Sequence, residues 1–488
     1  MIKLRHTLTD MREVILLRLG EVTIKSSRVR KRFESLLLRN IRDALSSEGV
    51  LRYGIMRDRG RIFVYTNEID RSLDVLRRVF GITSLSHAYE STFNTLDDVL
   101  ELGERIFKGR VEGRKFAVRA RRVGSHDFTS LDIERELGSR LLPYSNGVDL
   151  SKPEITVYVE VRGKRVYFYD NVVKAYGGLP IGSEGKVVAL VSGGFDSAVA
   201  AWYMLRRGAE VHYVFCNLGG PIHEKGVLSV TKVLADRWSY GYEPKIYIVD
   251  FRKLLREIRN KCDTSLLNVI LKRYMYRAAE RIAKDIGADA IVTGESLGQV
   301  SSQTLRNLYV SSLSVRIPIL RPLIGFDKDD IISLSREIGT YEASLKVREY
   351  CGAFAEHPKT RSEVKDVERE ETKVDVNVFE EALSSLKALG LRGVKVQEED
   401  LEIDEIPVDA VVIDLSEKPI KGEANWVKCS FEELLRKASE LDRNKTYVLI
   451  CDEGGISLEA AHFLRKMGLN AYSLRGGYRS MCRRRYQY

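Results

Sequence analysis

The sequence predicts an α/β protein of several domains, with a doubly wound parallel sheet at its centre. Between residues 186 and 293, short apolar runs of strand length alternate regularly with helical stretches, the order that a parallel sheet requires. A shorter alternation of the same kind occupies residues 410–467, and a β-α-β-α order opens the chain. The length of 488 residues, at roughly 100–200 residues per domain, suggests about three or four domains.

Composition indicates a folded protein outside the membrane. Hydrophobic residues make up 44% of the chain and charged residues 30%, which argues against a mainly disordered protein. The best apolar runs, Val187–Val191 and Tyr447–Cys451, have the length of strands rather than the roughly 18 residues of a spanning helix. The apolar patch Val14–Leu17 is too short for a signal peptide. We therefore expect a soluble, cytoplasmic protein.

The first half of the chain predicts two mixed α+β units, at residues 1–80 and 81–172. The first unit is expected to alternate strands and helices, in the order Val14–Leu19, Val29–Leu45, Arg61–Tyr65 and Ser72–Val79. The second is expected to contain helix Leu96–Phe107, strand Lys115–Arg121, helix Thr129–Leu141 and a hairpin of Glu154–Arg162 with Arg165–Tyr169. The glycine-rich stretch at 177–185 indicates a flexible connector.

The second half predicts two parallel sheets separated by an acidic segment. The larger, at residues 173–360, has strands Lys186–Val191, Glu210–Phe215, Lys245–Asp250 and Ala290–Thr293, with helices Ala198–Arg207, Gly226–Trp238 and a helical stretch through Ile286 between them. Residues 361–406 hold 14 acids and 7 bases, so we expect 361–400 to be a solvated linker with one helix near Phe379–Leu389. The smaller domain, at residues 401–488, is expected to order Ala410–Asp414, Phe431–Ser439, Thr446–Ile450 and Leu458–Met467 as strand, helix, strand and helix.

Positive charge concentrates near the N-terminus, where residues 1–80 carry 18 basic and 10 acidic side chains. A basic run opens the first predicted helix and consists of Lys25, Arg28, Arg30, Lys31 and Arg32. Such a run suits contacts with the phosphates of a nucleic acid, which dominate nucleic-acid affinity. The alternative is an ordinary solvated helix face.

The six cysteines are too scattered for a disulfide scaffold: Cys216, Cys262, Cys351, Cys429, Cys451 and Cys482. No two of them form a C-x-x-C pair, and no two histidines have the spacing of zinc ligands. We therefore expect no structural metal site, although one or two cysteines could still be chemically active.

A glycine-rich turn follows the first strand of the central domain. It comes directly after Leu190 and Val191 and consists of Ser192, Gly193, Gly194, Phe195, Asp196 and Ser197, which together we call the glycine loop. Glycines let the backbone approach an anion closely, and the helix that follows presents unpaired amides to it. The spacing is neither that of a Walker loop nor G-x-G-x-x-G. It resembles the PP-loop of ATP pyrophosphatases, which adenylate a substrate; the alternative is a chance glycine turn with a capping serine.

Further stretches raise this resemblance to one family. They are R-R-G-A-E-V-H-Y at 206–213 with N-L-G-G at 217–220, T-G-E-S-L-G-Q-V-S-S-Q-T at 293–304, and R-P-L-I-G-F-D-K at 321–328. With the glycine loop, they resemble the tRNA 4-thiouridine synthetase family (ThiI). The opening Arg18–Ser26 is similar to that family's first strand and basic helix, and the segment from Ser86 to Asp170 to its tRNA-binding THUMP domain. The resemblance runs from about Met11 to the C-terminus, and it implies an N-terminal ferredoxin-like unit, a THUMP domain, a central HUP-like PP-loop sheet and a C-terminal rhodanese-like domain.

The resemblance also implies a set of residues for ATP and Mg²⁺. The ATP contacts would be Leu190, Val191, the glycine loop, Lys272, Gly294 and Gln303. Asp196 would help to hold Mg²⁺, and Lys328 matches a lysine important for adenylation in the family. An ammonium at that position can neutralise charge on the leaving pyrophosphate. For Lys272 the alternative is a surface lysine on a helix.

Two cysteines carry the sulfur chemistry in this interpretation. Cys451 ends a predicted strand and opens the stretch C-D-E-G-G-I-S, residues 451–457, which we call the cysteine loop. It resembles the active-site loop of a rhodanese domain, whose amides and helix N-terminus favour a thiolate or persulfide; the alternative is an inert core cysteine. The acids Asp452 and Glu453 depart from this pattern, because negative charge beside the sulfur should slow its reaction. Cys351, in Glu349-Tyr350-Cys351-Gly352, matches the family's second cysteine.

The family mechanism would be transfer of sulfur to uridine 8 of tRNA, through adenylation of the uridine and a persulfide on Cys451. Cys351 would release the product and leave a Cys351–Cys451 disulfide. The implied partners are tRNA, a cysteine desulfurase or other persulfide donor, and a sulfur-carrier protein if sulfur also passes to the thiazole of thiamine. The sequence leaves open whether the chain forms a homodimer. Two rivals remain, namely a PP-loop ligase that forms amides and a sulfur-carrier or tRNA-binding protein without catalysis. Release of AMP that depends on tRNA would separate the three.

Overall fold

The computed structural model describes residues 11–347, 357–396, 400–416, 426–452 and 454–480, and these residues form three β-sheets. The chain divides into two compact units, one built mainly from residues 1–184 and the other mainly from residues 185–488. Within the described ranges, no helix is both long enough and apolar enough to cross a membrane.

A mainly antiparallel sheet of eight strands runs through the N-terminal unit. Its strands are β1 (Arg12–Leu19), β2 (Tyr53–Asp58), β3 (Arg61–Thr66), β4 (Ile82–Thr92), β5 (Phe116–Val123), β6 (Ile155–Arg162), β7 (Arg165–Tyr169) and β8 (Val173–Lys174). Their order is β2-β3-β1-β4-β7-β6-β5, with β8 paired to β4. Four helices accompany them: α1 (Ser27–Ser47), α2 (Ile69–Arg77), α3 (Leu96–Phe107) and α4 (Ser130–Leu141).

The long strand β4 joins what the sequence predicts as two units. It pairs with β1 on one side and with β7 on the other, so that Glu90 lies between Arg12 and Tyr167. The two predicted units therefore share one sheet, because eleven consecutive residues of β4 offer both of their edges. The predicted flexible connector is also fixed, since Gly177 N–H donates to the carbonyl of Ile82 at 2.9 Å.

The central sheet has the order β13-β12-β9-β10-β11-β14. Its strands are β9 (Lys186–Leu190), β10 (Glu210–Asn217), β11 (Lys245–Asp250), β12 (Ala290–Val292), β13 (Ile319–Leu320) and β14 (Lys387–Gly390). Its helices are α5 (Phe195–Arg206), α6 (Pro221–Trp238), α7 (Arg252–Lys261), α8 (Leu267–Ile286), α9 (Leu305–Ser312), α10 (Lys328–Ile338), α11 (Tyr341–Leu345), α12 (Val364–Glu371) and α13 (Val376–Ser384). The first five strands are parallel. Because the chain leaves β9 for β10 on one side and reaches β12 on the other, the glycine loop lies where the strand order reverses, the usual position of ligands in such sheets.

The acidic segment differs from the expected solvated linker. Instead of one helix it forms α12, α13 and the antiparallel edge strand β14. Val367 and Ala382 are buried in the core of the central domain. The acids find partners there, since Glu371 accepts hydrogen bonds from Arg273 at 2.9 Å and from Arg277 at 2.7 Å. Net charge predicted a solvated segment, but apolar residues of the segment enter the core and one of its acids pairs with two arginines of α8.

The C-terminal sheet is wholly parallel, in the order β15-β19-β18-β16-β17. Its strands are β15 (Glu402–Ile403), β16 (Val411–Asp414), β17 (Val427–Lys428), β18 (Thr446–Ile450) and β19 (Asn470–Leu474), and its helices are α14 (Phe431–Lys437) and α15 (Gly455–Lys466). Ser430 and Glu433 form a capping box that fixes the start of α14. The central strand β18 leads directly into the cysteine loop.

Candidate active site

The glycine loop is a closed turn between β9 and α5. Ser197 Oγ donates to the carbonyl of Gly194 at 3.0 Å and accepts from the backbone N–H of Ser192 at 3.4 Å. Gly193 has a φ of +85°, and a Cβ there would lie 2.7 Å from the side chain of Val347. The position therefore requires glycine. Since α5 begins three residues earlier than the sequence predicts, the last three residues of the loop are its first turn, where amides lack intrahelical acceptors.

The strand end is built from packing residues. Val191 is buried, Leu190 is half-buried, and the N–H of Val191 donates to the carbonyl of Val214 at 2.9 Å. Because both side chains are apolar, any contact of these two residues with a nucleotide would be apolar or through the backbone.

Asp196 of the glycine loop forms a charge pair with Lys328, although 132 residues separate them in sequence. Lys328 Nζ lies 2.9 Å from each carboxylate oxygen of Asp196. Gln299 Nε2 lies 3.4 Å from the same carboxylate. Lys328 keeps 40% of its side chain exposed and Asp196 keeps 19%, so both groups can reach an anion or a cation from solvent. The two residues predicted for adenylation and Mg²⁺ therefore do come together.

Glu295 is the centre of a buried ionic network behind this pair. Its Oε1 accepts from Lys272 Nζ at 2.6 Å and from Tyr276 OH at 2.7 Å, and its Oε2 from Arg321 Nε at 2.6 Å and from Thr293 Oγ1 at 2.9 Å. Burial opposes ionisation of Glu295, but Lys272 and Arg321 outweigh it and hold its pKa at about 2. Lys272, predicted to contact ATP, is thus tied to a carboxylate, which leaves its nucleotide contact a prediction.

Gly294 brings the T-G-E stretch against the glycine loop. A Cβ on Gly294 would lie 2.5 Å from the carbonyl carbon of Asp196 and 2.6 Å from the nitrogen of Ser197. These contacts are with backbone, so no side-chain movement could relieve them. Gln303 acts further along the same stretch, where its Oε1 accepts from the N–H of Ser296 at 3.1 Å. Gly294 is therefore needed for the shape of the site, whether or not it touches a nucleotide.

The cysteine loop encloses a buried sulfur. Cys451 is 3% exposed, and its Sγ accepts from the N–H of Gly454 at 3.0 Å and from the N–H of Ser457 at 3.4 Å. Ser457 Oγ lies 3.4 Å from the same sulfur and 2.8 Å from Ser473 Oγ. Two amides at the start of α15 therefore face Sγ and donate to it.

Of the two acids that depart from the loop pattern, the structure describes only Asp452. Asp452 is exposed, so solvent screens its charge from the sulfur. Glu453 lies outside the described residues, as do Cys351 and its neighbours Glu349, Tyr350 and Gly352. The effect of Glu453 and the part of Cys351 therefore stay predictions.

Two further cysteines have surroundings typical of structural residues. Burial raises the pKa of the Cys262 thiol to about 11, with Glu370 adding to the effect, and its Sγ contacts the carbonyl of Glu370 at 3.4 Å. Burial also raises the pKa of Cys429. Neither environment favours a reactive thiolate.

The basic run lies at the start of α1 and is unevenly available. Arg28, Lys31 and Arg32 are exposed, whereas Lys25 is half-buried. Arg30 is engaged inside the helix, with Nε 2.8 Å from Glu34 Oε1. Three of the five predicted nucleic-acid contacts are thus exposed, although Arg32 Nη2 also donates to the carbonyl of Ser183 at 3.1 Å. This exposure is compatible with both phosphate binding and a solvated helix face.

Sequence reasoning missed several residues of these sites. Glu295 and Arg321 both lie in motifs that support the family resemblance, but their roles depend on contacts between segments distant in sequence. Ser457 stands inside the cysteine loop, and its side-chain contact with Ser473 requires the folded sheet. For these positions the sequence motif indicates that the residues belong to the sites, but it does not predict their chemical roles.

Four family models match successive parts of the chain. They are described as ThiI ferredoxin-like domain (residues 14–86), THUMP domain (93–170), Thiamine biosynthesis protein (ThiI) (182–376) and Rhodanese-like domain (406–483). Their order confirms the multidomain α/β fold that the sequence predicts.

Curated relatives match over nearly the whole chain. The tRNA sulfurtransferase of Pyrobaculum aerophilum is 41% identical over 477 residues, which is 95% of this chain and 96% of that protein. The tRNA sulfurtransferase of Thermoplasma volcanium is 38% identical, over 94% of each chain.

Among solved structures, a 4-thiouridine synthetase in complex with RNA and with bound ATP superposes with a TM-score of 0.69 at 33% identity. The match covers 78% of this chain and 99% of that one. The protein PH1313 from Pyrococcus horikoshii matches with a TM-score of 0.55 at 28% identity, over 67% of this chain and 99% of that one.

Proposed function

Because this chain belongs to the tRNA sulfurtransferase family, we propose that it replaces the C4 oxygen of uridine 8 in tRNA with sulfur, giving 4-thiouridine. The observation that carries the proposal is the presence on one chain of two loops that each join a strand to the first turn of a helix, the geometry that suits an anion. The glycine loop suits a nucleotide, and the cysteine loop surrounds a sulfur with amide donors. A PP-loop ligase would have no use for the second loop, and a carrier protein without catalysis would have none for the first.

ATP would bind at the glycine loop, with its phosphates against the first-turn amides of α5. Leu190 and Val191 would line the strand end, and Gly294 and Gln303 would hold the facing stretch in place. Asp196 would hold Mg²⁺ jointly with the phosphate oxygens, since Mg²⁺ commonly takes one or two carboxylates together with substrate phosphates. This sharing suits the site, because no three acidic, histidine or cysteine side chains of the described residues form a metal-sized cluster.

The first chemical step would activate the uridine. Its C4 oxygen attacks the α-phosphorus of ATP as the proton on N3 is lost to solvent, an O–P bond forms, and the bond to the bridging oxygen of the β-phosphate breaks with release of pyrophosphate. Lys328, whose ammonium stands at the carboxylate of Asp196, would stabilise the charge that develops on the departing phosphates. The product is an adenylated uridine, in which AMP has become a leaving group on C4.

The second step would deliver sulfur from Cys451. The terminal sulfur of a Cys451 persulfide attacks C4 and expels AMP, so that a disulfide links Cys451 to the base. The thiolate of Cys351 then attacks Cys451 Sγ, the sulfur–sulfur bond breaks, and its electron pair leaves on the sulfur of 4-thiouridine. The resulting Cys351–Cys451 disulfide needs a dithiol reductant to return both thiols.

The N-terminal unit would dock the tRNA through its phosphates. Arg28, Lys31 and Arg32 are exposed for such contacts, with Lys25 beside them and Arg30 available after exchange of its pairing with Glu34. A cysteine desulfurase or another persulfide donor would load Cys451 in the cytoplasm. The same persulfide would serve a sulfur-carrier protein if the chain also supplies the thiazole sulfur of thiamine.

The test is mass spectrometry of nucleosides from unmodified tRNA incubated with the full chain, ATP, Mg²⁺ and glutathione persulfide. We expect 4-thiouridine from the wild type and from Cys429→Ser, a matched control in the same domain, but not from Cys451→Ser. Formation of AMP without 4-thiouridine in the wild type would mean that the adenylated substrate is another molecule. Equal product from Cys451→Ser would mean that sulfur reaches the base without that cysteine.

A further inference from the structure

A carboxylate of the C-terminal domain caps the N-terminus of a helix in the central domain. Glu459 lies on α15, and its Oε1 accepts from the backbone N–H of Ile222 at 2.7 Å and from that of His223 at 3.2 Å. Both donors belong to the first turn of α6, which has no capping side chain from its own N-cap residue, Gly220. The first-turn amides of a helix need acceptors, and here another domain provides one.

The turn before α6 is shaped to admit this carboxylate. Gly220 has a φ of +91°, and a Cβ there would lie 3.2 Å from Glu459 Oε2. Asn217 fixes the turn, since its Oδ1 accepts from the N–H of Gly219 and of Gly220 at 3.2 and 2.8 Å. The N-L-G-G motif of the sequence therefore forms the turn against which the Glu459 carboxylate packs.

The contact is buried and specific. Glu459 is 8% exposed, and burial raises its pKa to about 7 although the two N–H donors act in the opposite direction. Arg252 and Lys466 contribute favourable charge around it. A carboxylate removed from water to this extent is expected only where its acceptor positions are matched by donors.

The contact also connects the sulfur to the nucleotide site. On one side, Glu459 stands two residues beyond Ser457, whose amide contacts Cys451 Sγ at 3.4 Å. On the other side, His223 Nε2 lies 3.3 Å from the carbonyl of Ser192, the first residue of the glycine loop. A continuous series of contacts thus runs from the cysteine loop, through α15 and the start of α6, to the glycine loop.

We propose that Glu459 is a positioning residue for sulfur delivery. Its contact with the first turn of α6 holds the domain that carries Cys451 beside the glycine loop. This inference rests on the proposed function. The role of Glu459 is to set where Cys451 stands when the adenylated base is present, and it takes no part in bond making.

The contact itself is tested by amide hydrogen exchange in the full chain. We expect Ile222 and His223 to lose protection in Glu459→Ala and to keep part of it in Glu459→Gln, whose amide oxygen can still accept. Glu440→Ala, which removes an exposed glutamate of the same domain, should leave both amides as in the wild type. Unchanged protection in Glu459→Ala would overturn the contact without reference to any activity.

The positioning role is tested by comparing two sulfur sources under single-turnover conditions. In the first, Cys451 is loaded beforehand with glutathione persulfide; in the second, sodium sulfide attacks the adenylated base directly. We expect Glu459→Ala to slow transfer from Cys451 by about tenfold or more, the order of one hydrogen bond to a charged group. Loading of Cys451 and the sulfide reaction should stay at wild-type values, and Glu459→Gln should be intermediate.

The outcomes separate the two proposals. Wild-type rates from both sources in Glu459→Ala would overturn the positioning role, as would an equal loss from both. If the wild type itself makes no 4-thiouridine from either source, the proposed function fails and the positioning role falls with it, whereas the exchange experiment still decides whether the contact exists.

Discussion

The glycine loop and the cysteine loop share a construction but differ in surroundings. Each follows a strand in the interior of a parallel sheet and leads into a helix, β9 into α5 and β18 into α15. The glycine loop stands among fixed charges, with Lys328 on Asp196 and the Glu295 network behind. Around Cys451, by contrast, the sulfur contacts are two amides and a serine hydroxyl.

The difference follows from the anions that each loop would hold. A triphosphate carries several negative charges that must be matched and redistributed as pyrophosphate leaves, so fixed cations are useful. A single persulfide sulfur has to be stabilised and still leave, and a cation in contact with it would hold it back. Dipoles and burial stabilise one negative charge without that penalty.

The largest effect is expected when the cation that pairs with the glycine loop is removed. Lys328→Ala is expected to slow tRNA-dependent formation of AMP by about a hundredfold to a thousandfold, the range for loss of one preorganised charge donor. Loading of Cys451 with persulfide should not change. Release of radiolabelled AMP and the mass of the Cys451 peptide measure the two effects.

Lys284→Ala is the matched control, since it removes a lysine that pairs with Glu280 on the surface of the same domain. It should leave both measurements as in the wild type. An AMP rate in Lys328→Ala within a factor of about two of wild type would show that the fixed charge is not needed, contrary to the electrostatic argument.

A second prediction concerns the buried charge at Glu295. Its pKa is lowered from 4.5 to about 2, so its ion pairs stabilise the fold above about pH 4.5 and this contribution disappears as pH falls toward 2. We expect the wild type to lose roughly 3 kcal/mol of unfolding free energy over that interval from this group alone. Urea unfolding, followed by the fluorescence of the buried Trp202 and Trp238, measures it.

Glu295→Gln should be less stable than the wild type at pH 7, because Lys272 and Arg321 lose their buried charged partner. Since glutamine does not titrate, the variant should also lack this part of the acid dependence. Glu381→Gln, which removes an exposed partner of Lys253, is the control and should follow the wild type. Parallel acid curves for wild type and Glu295→Gln would contradict the assigned pKa.

The smallest expected effect belongs to the acid beside the sulfur. Because Asp452 is exposed and screened, Asp452→Asn should change the rate of Cys451 alkylation by no more than about twofold at physiological ionic strength. Iodoacetamide labelling, read from the mass of the Cys451 peptide, measures the rate. An increase of about tenfold would mean that this carboxylate acts directly on the sulfur, and the cysteine loop would no longer be a site of neutral donors.

Both loops could be predicted from sequence because each is a local pattern of strand, glycines and helix. The Glu295 network could not, since its members come from α8, from the end of β12 and from the stretch after β13, and only the folded sheet brings them together. The sharing of strand β4 could not be predicted for a related reason, because one edge of β4 pairs with β1, which precedes it in sequence, and the other pairs with β7, which follows it. Composition misjudged the acidic segment, because its apolar residues Val367 and Ala382 pack into the core and its Glu371 pairs with α8, although most of its other acids are exposed.

The edge strand β14 has a consequence for the supply of sulfur. The chain is anchored at Leu391, buried directly after β14, and is anchored again at Leu401, ten residues further, where the C-terminal domain begins. Ten residues span at most about 35 Å even when fully extended. Even with the Glu459 contact broken, a domain on so short a tether would stay at an effective concentration in the millimolar range relative to its neighbour. Under the proposed function, a persulfide free in solution would have to reach a comparable concentration to compete with one carried on Cys451, so we expect sulfur loaded on Cys451 to pass to the glycine loop of the same molecule.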